Sequence, residues 1–252
     1  MNAEVLRLDG VGVSFGGLHV LEAIDFSVAA NEIVGLIGPN GAGKSTCFNV
    51  VTSIYRPDRG EVRLHGQRIS GLRPERICRL GIARTFQLVR TFQRMTALQN
   101  VLVGAVYGRP EARSGARSDA VRVAHEAIER VGLGAQGARL AAHMTLSDRR
   151  LLELARALAT QPAVLLLDEP MAGLNAAEIG QMTGTIRRIR DELRICVLWV
   201  EHRVDAIMKL CDRVVVLDHG EKIADATPAE VVTNPRVIEA YLGETPARDQ
   251  RA

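Results

Sequence analysis

Two short runs in which apolar and polar side chains alternate, 5–8 and 26–28, flank the Gly-rich turn Phe15-Gly16-Gly17. A period of two sends successive side chains to opposite faces of a strand, so this stretch predicts antiparallel strands at the edge of a core. At 32–37 the polar positions disappear, as in a strand buried on both faces. That strand runs straight into a glycine-rich loop, and from Lys44 the spacing predicts a helix to about position 53. After a turn at 55–60, the pattern predicts a strand at 61–64 and a short helix at 74–80. Between about 95 and 160 the period is helical, clearest at 120–131 and 149–159, which predicts a helical subdomain inserted into the core. Within it, 108–118 is rich in Gly, Pro, Arg and Ser without any period, and a mobile surface loop is expected there. Strand 163–167, helix 176–190, strand 195–200, helix 204–210 and strand 213–217 then alternate, predicting a mainly parallel sheet covered by helices. The expectation is one α/β domain over 1–244, followed by a frayed tail at 245–252.

Composition narrows this picture only slightly. The 252 residues are enough to bury a core without staples, and 47% hydrophobic with 24% charged residues is ordinary for a globular chain. A formal charge of +3 from 32 basic and 29 acidic side chains lacks the clustered excess of a nucleic-acid binder, and 4% aromatic residues give no stacking platform for bases. No stretch approaches the roughly 20 apolar residues that a membrane span needs, so other chains would do any spanning. Cys47, Cys78, Cys196 and Cys211 show no paired C-x-x-C spacing, and reduced thiols in a cytosolic protein are expected.

The chemistry is concentrated at strand ends. Gly38, Pro39, Asn40, Gly41, Ala42, Gly43, Lys44 and Ser45, followed by Thr46, fit G-x-x-x-x-G-K-[ST]. Glycines there let successive backbone N–H groups wrap a phosphate chain at a helix N-terminus, while Lys44 meets the β- and γ-phosphates and the Ser45 hydroxyl meets Mg²⁺. The order strand, loop, helix is the one a P-loop NTPase core requires. Downstream, four apolar residues at 164–167 precede Asp168 and Glu169, which places a carboxylate at the C-terminal end of a core strand, where ligands of open α/β sheets gather. Asp168 is expected to hold Mg²⁺ through water and Glu169 to polarise the attacking water.

Four stretches carry a wider resemblance: GLIGPNGAGKST at 35–46, GIARTFQ at 81–87, LLDEPMAGLN at 166–175 and NPRVIEAYLG at 234–243. Over about 4–244 the chain resembles the nucleotide-binding subunits of ATP-binding-cassette importers, and the second and fourth stretches resemble those of branched-chain amino-acid importers. The resemblance implies an ATPase that uses ATP and Mg²⁺ and pairs with a second ATPase subunit, identical or different. It also implies membrane-spanning permease partners and a place on the inner face of the cell membrane. Gln87 matches the family glutamine that senses Mg²⁺ and the γ-phosphate, His202 the switch histidine, and Phe15 the aromatic that stacks on adenine. Asn175 stands where the family usually has an aspartate.

The largest departure is the signature, a Leu-Ser-Gly-Gly-Gln stretch whose amides close over the γ-phosphate held by the partner subunit. This chain has Met144-Thr145-Leu146-Ser147-Asp148 there. Thr145 keeps a hydroxyl, but Leu146 and Ser147 replace both glycines and restrict the backbone. Thr145-x-x-Asp148 is also a capping-box-like pattern that would start the next helix whatever its function, with helix N-terminal amides still available to an anion. Two readings follow: a symmetric motor, or a weakly hydrolytic subunit beside a more competent sister. The transported substrate rests on likeness alone, and urea, amides or aromatic acids remain alternatives. A GTP switch lacks its Asn-Lys-x-Asp element, and a cassette acting on DNA or ribosomes lacks tandem cassettes, a coiled-coil insertion or a basic arm.

Overall fold

The computed structural model describes residues 3–108 and 117–242. The tail expected at 245–252 and residues 109–116 of the loop expected at 108–118 lie outside the described residues. In chain order the first elements are β1 (Glu4–Phe15), β2 (Leu18–Ala29), β3 (Ile33–Ile37), α1 (Lys44–Val51), β4 (Arg59–Leu64), β5 (Gln67–Arg68), α2 (Pro74–Leu80) and β6 (Ile82–Arg84). Helices α3 (Ala97–Tyr107), α4 (Arg117–Arg130) and α5 (Leu146–Leu158) come next. The chain then continues through β7 (Val164–Asp168), α6 (Ala176–Leu193), β8 (Cys196–Val200), α7 (Val204–Leu210), β9 (Arg213–Asp218), β10 (Glu221–Ala226), α8 (Pro228–Thr233) and α9 (Pro235–Leu242).

Two sheets form. The smaller is antiparallel, in the order β2-β1-β4-β5, and the larger runs β10-β9-β3-β8-β7-β6, with β10 its only antiparallel member. In the larger sheet the period of two sorts the core into halves. Ile33, Ile37, Leu165, Leu167, Val197, Trp199, Val214 and Val216 join a cluster with α3 to α6. Their neighbours Val34, Leu36, Val164, Leu166, Leu198, Val215 and Leu217 face β1, β2 and α1. Burial on both faces explains why these strands read as unbroken apolar runs.

Helices α3, α4 and α5 pack on one another as the helical period predicts, and Gly104 lets α3 approach closely. A Cβ at that position would lie 2.2 Å from the Arg156 carbonyl oxygen. The boundaries of α2 and α7 agree with the pattern. Strands β1 and β2 are much longer than the alternation showed, because register shifts after Leu8 and Val11 and a left-handed Gly10 (φ 56°) interrupt the period of two. Five elements have no counterpart in the pattern: β5 and β6 are two and three residues long, β10 is only half-buried, and α8 and α9 are short helices. No helix among the described residues is long and apolar enough to cross a membrane.

Candidate active site

Strands β3, β8, β7 and β6 are neighbours in the sheet, so the segments that leave their C-terminal ends come together at one edge. A cavity of about 310 Å³ lies there. It is lined by Asn40, Gly41, Ala42, Gly43, Lys44, Ser45 and Thr46 after β3, by Gln87 after β6, Glu169 after β7 and His202 after β8, and by Val20 from β2.

Local sequence accounts for the loop. Gly38 adopts φ 150°, and a Cβ there would meet the Leu217 carbonyl oxygen at 2.0 Å, so only glycine fits. Gly43, in the left-handed region at φ 101°, stands at the N-cap of α1 without a side-chain cap, which leaves the first-turn N–H groups to an external acceptor. Lys44 is 7% exposed and its ammonium donates to the carbonyls of Gly38 at 2.7 Å and Pro39 at 2.9 Å. Burial pushes its pKa below the ordinary lysine range, and the nearby Glu169 charge opposes that shift.

At the other side, Glu169 sits in the left-handed region at φ 47°, held by its N–H to the Val200 carbonyl at 2.9 Å. A non-glycine residue rarely occupies that region without reason. The turn aims the carboxylate between two partners: Gln87 Nε2 donates to Oε2 at 3.0 Å, and His202 Nε2 meets Oε1 at 2.8 Å. Asp168, 5% exposed, gives one oxygen to Arg84 at 2.7 Å. Glu201 is buried and accepts N–H bonds from Met171 and His202, both at 3.1 Å. Burial raises its pKa above the usual carboxylate range, while those two bonds pull the other way.

The remaining predicted residues stand apart. Phe15 does not line the cavity; it is 45% exposed and meets Tyr55 edge-on, ring centroids 5.1 Å apart. Thr145 caps α5, its hydroxyl oxygen accepting from the Asp148 N–H at 3.1 Å. The expected capping box is only half made, since the Asp148 carboxylate faces Gln136 at 3.4 Å instead of returning to Thr145. Ser147 is buried at 8% exposure, and Asn175 forms a full capping box with Glu178 at the start of α6.

Sequence reasoning gave no role to three largely buried charges here. Arg84 bridges Asp168 and Asn49, Glu201 braces the start of the His202 segment, and Arg150 donates to the carbonyls of Phe86 at 3.1 Å and Ala172 at 3.4 Å. A charge standing at the end of an apolar strand was the signal available for Arg84 and Glu201; Arg150, inside α5, had none of that kind.

A family model described as ABC transporter matches residues 21–172, and one described as Branched-chain amino acid ATP-binding cassette transporter matches 221–247. With its phosphate loop and adjoining carboxylates on a cassette fold, the chain belongs to the ABC transporter family, as an ATP-binding and ATP-hydrolysing subunit. Two solved structures are similar over 96% of this chain and 100% of theirs, each at 29% identity: an ABC-transporter ATP-binding cassette in its ADP conformation, TM-score 0.87, and a nucleotide-free cassette, TM-score 0.85. Among curated proteins, the high-affinity branched-chain amino acid transport ATP-binding protein BraF of Pseudomonas aeruginosa is 38% identical over 97% of this chain and 100% of its own. LivG of Escherichia coli (strain K12), with the same description, is also 38% identical with the same coverage. A probable LivG of Methanocaldococcus jannaschii is 30% identical over 96% of this chain and 98% of its own.

Proposed function

We propose that this subunit energises an importer of branched-chain amino acids, working as one of two paired ATPases beneath membrane-spanning permeases on the inner face of the cell membrane. The observation that carries the catalytic part is Glu169, held between Gln87 and His202 at the rim of the phosphate-loop cavity. The substrate class is supported by the match at 221–247 and by the names of the full-length relatives.

In this reading, the N–H groups of 38–46 and the Lys44 ammonium hold the ATP phosphates, and Lys44 exchanges its carbonyl partners Gly38 and Pro39 for phosphate oxygens. Glu169 takes a proton from the attacking water, His202 orients the carboxylate and meets the γ-phosphate, and Gln87 reports whether the site is filled. Phe15 stacks on adenine from the mouth of the β1–β2 turn. Thr145 and Ser147, away from this chain's own cavity, face the nucleotide of the partner subunit.

The residues fit Mg²⁺. Ser45, Asp168 and Gln87 offer oxygen donors, and because Gln87 spends its Nε2 on Glu169, its carbonyl oxygen is free to coordinate. When bound, the cation neutralises charge on the transferring phosphoryl group.

Replacing Lys44 tests the motor. In proteoliposomes with the permeases and a separate extracellular protein that binds the transported substrate, Lys44→Ala abolishes ATP-dependent uptake and leaves amino-acid binding by that protein intact; unchanged uptake refutes the assignment. Substrate competition in the same vesicles distinguishes branched-chain amino acids from urea, amides or aromatic acids. A second reading, an asymmetric pair with one slow site, is favoured by Leu146 and the buried Ser147 standing where flexible glycines are expected. Mixed dimers carrying Glu169→Gln in one partner at a time decide it, because equal loss from either side argues against a slow site.

A further inference from the structure

Arg84 is a guanidinium inside the protein, its side chain 10% exposed, at the end of β6. Nη2 donates to Asp168 Oδ2 at 2.7 Å, and Nη1 donates to Asn49 Oδ1 at 2.7 Å. Its carbon centre lies 5.4 Å from the Phe48 ring and 5.5 Å from the Phe86 ring. Asn49 and Phe48 belong to α1, the helix that begins with Lys44 and Ser45. Asp168 ends β7, and Phe86 immediately precedes Gln87. One side chain therefore touches three of the four segments whose ends line the cavity.

Stability alone does not account for this arrangement. Desolvating two charges costs several kcal/mol per ion, and an apolar pair of equal volume is often at least as stable. What a guanidinium adds is geometry, since two arms of one rigid plane reach Asp168 and Asn49 together, which a lysine ammonium does not match. Asp168 Oδ2 is committed to that fork, while Oδ1 accepts no hydrogen bond from the described residues. The second fork arm, on Asn49, ties the same orientation to the helix that presents Ser45.

We propose that Arg84 is a positioning residue for metal–nucleotide binding: it clamps Asp168 by one oxygen so that the other faces the cation in one orientation, in register with α1. This rests on the proposed assignment of Asp168 to Mg²⁺. Partners that orient a metal ligand from behind typically set metal affinity by about 10–100-fold, whereas a residue that only packs alters nucleotide binding with and without metal alike.

The full chain is titrated with a fluorescent ATP analogue at increasing Mg²⁺ and, separately, in EDTA, with melting temperature followed in parallel. Arg84→Met is expected to raise the Mg²⁺ concentration at half-saturation by about 10–100-fold while binding in EDTA stays near that of the unsubstituted chain. Arg84→Lys, which keeps the charge but not the fork, is expected to fall between the two, and it carries the test if Arg84→Met does not fold. An unshifted Mg²⁺ midpoint in the folded variant, or an equal loss with and without Mg²⁺, overturns the proposal. Asp168→Asn separates the two claims. If it shifts the midpoint and the Arg84 variants do not, only the positioning role fails; if it too leaves the midpoint unchanged, the metal assignment itself fails.

Discussion

Replacing Glu169, the proposed base, by glutamine is expected to stop hydrolysis while disturbing little else. The carboxylate accepts from Gln87 at 3.0 Å and meets His202 at 2.8 Å, one oxygen each. An amide has a single acceptor oxygen, which can face the Gln87 Nε2, leaving its NH₂ against the His202 Nε2. That contact survives if the imidazole takes the tautomer in which Nε2 accepts. Both residues carry the same Cβ, so the left-handed backbone at φ 47° is equally strained in each. The expected change in folding stability is therefore below about 1 kcal/mol, the scale of one exchanged hydrogen bond. Hydrolysis loses its proton acceptor and should fall by about 10²–10⁴-fold. At 1.36 kcal/mol per factor of ten, that is about 3–5 kcal/mol of barrier. Phosphate release from the assembled transporter measures the rate, and retention of radiolabelled ATP by the pair measures binding. A variant that binds ATP and still releases phosphate at the unsubstituted rate refutes the role of Glu169.

Three further outcomes are expected. Gly38→Ala places a Cβ 2.0 Å from the Leu217 carbonyl oxygen and should abolish ATP binding or folding, while Gly41→Ala, with open space around it but φ 84°, should cost only about 1–2 kcal/mol; melting temperature and nucleotide titration compare them. Thr145→Ala removes the cap of α5 and should cost about 1 kcal/mol in urea unfolding, with Thr145→Ser near neutral. Burial pushes the thiols of Cys47 and Cys196 up to about 12 and raises Cys211 as well, so the reactive thiolate grows only as pH climbs toward those values. Burial raises Cys78 too, with Arg79 opposing, but it is the one of the four that is only half-buried, so alkylation near neutral pH, followed by mass spectrometry, should modify it first.

Features set by neighbours in the chain are legible in the sequence. The phosphate loop needs only a strand, three glycines and Lys44-Ser45 in order, and Asp168-Glu169 needs only the apolar run ahead of it. Long-range features are not legible there. The register shifts that hide the full length of β1 and β2 are set by pairing with each other and with β4. The three residues of β6 become a strand only because β7 offers them a parallel partner. Thr145 shows the limit of motif comparison, since the hydroxyl preserved at the signature position is also the one that caps α5.

By itself, the sequence determined that this chain has a parallel α/β core with a phosphate loop, that an acidic pair follows a buried strand, and that residues 144–148 ahead of α5 contain no glycine. These properties reside in backbone freedom, side-chain period and residue type over a few positions. Only the tertiary structure decided that Gln87, Glu169 and His202 meet within 3.0 Å, and that Arg84 joins Asp168 to Asn49 across 84 and 35 residues of chain. Such contacts depend on strand order in the sheet, and no local pattern encodes which strands become neighbours.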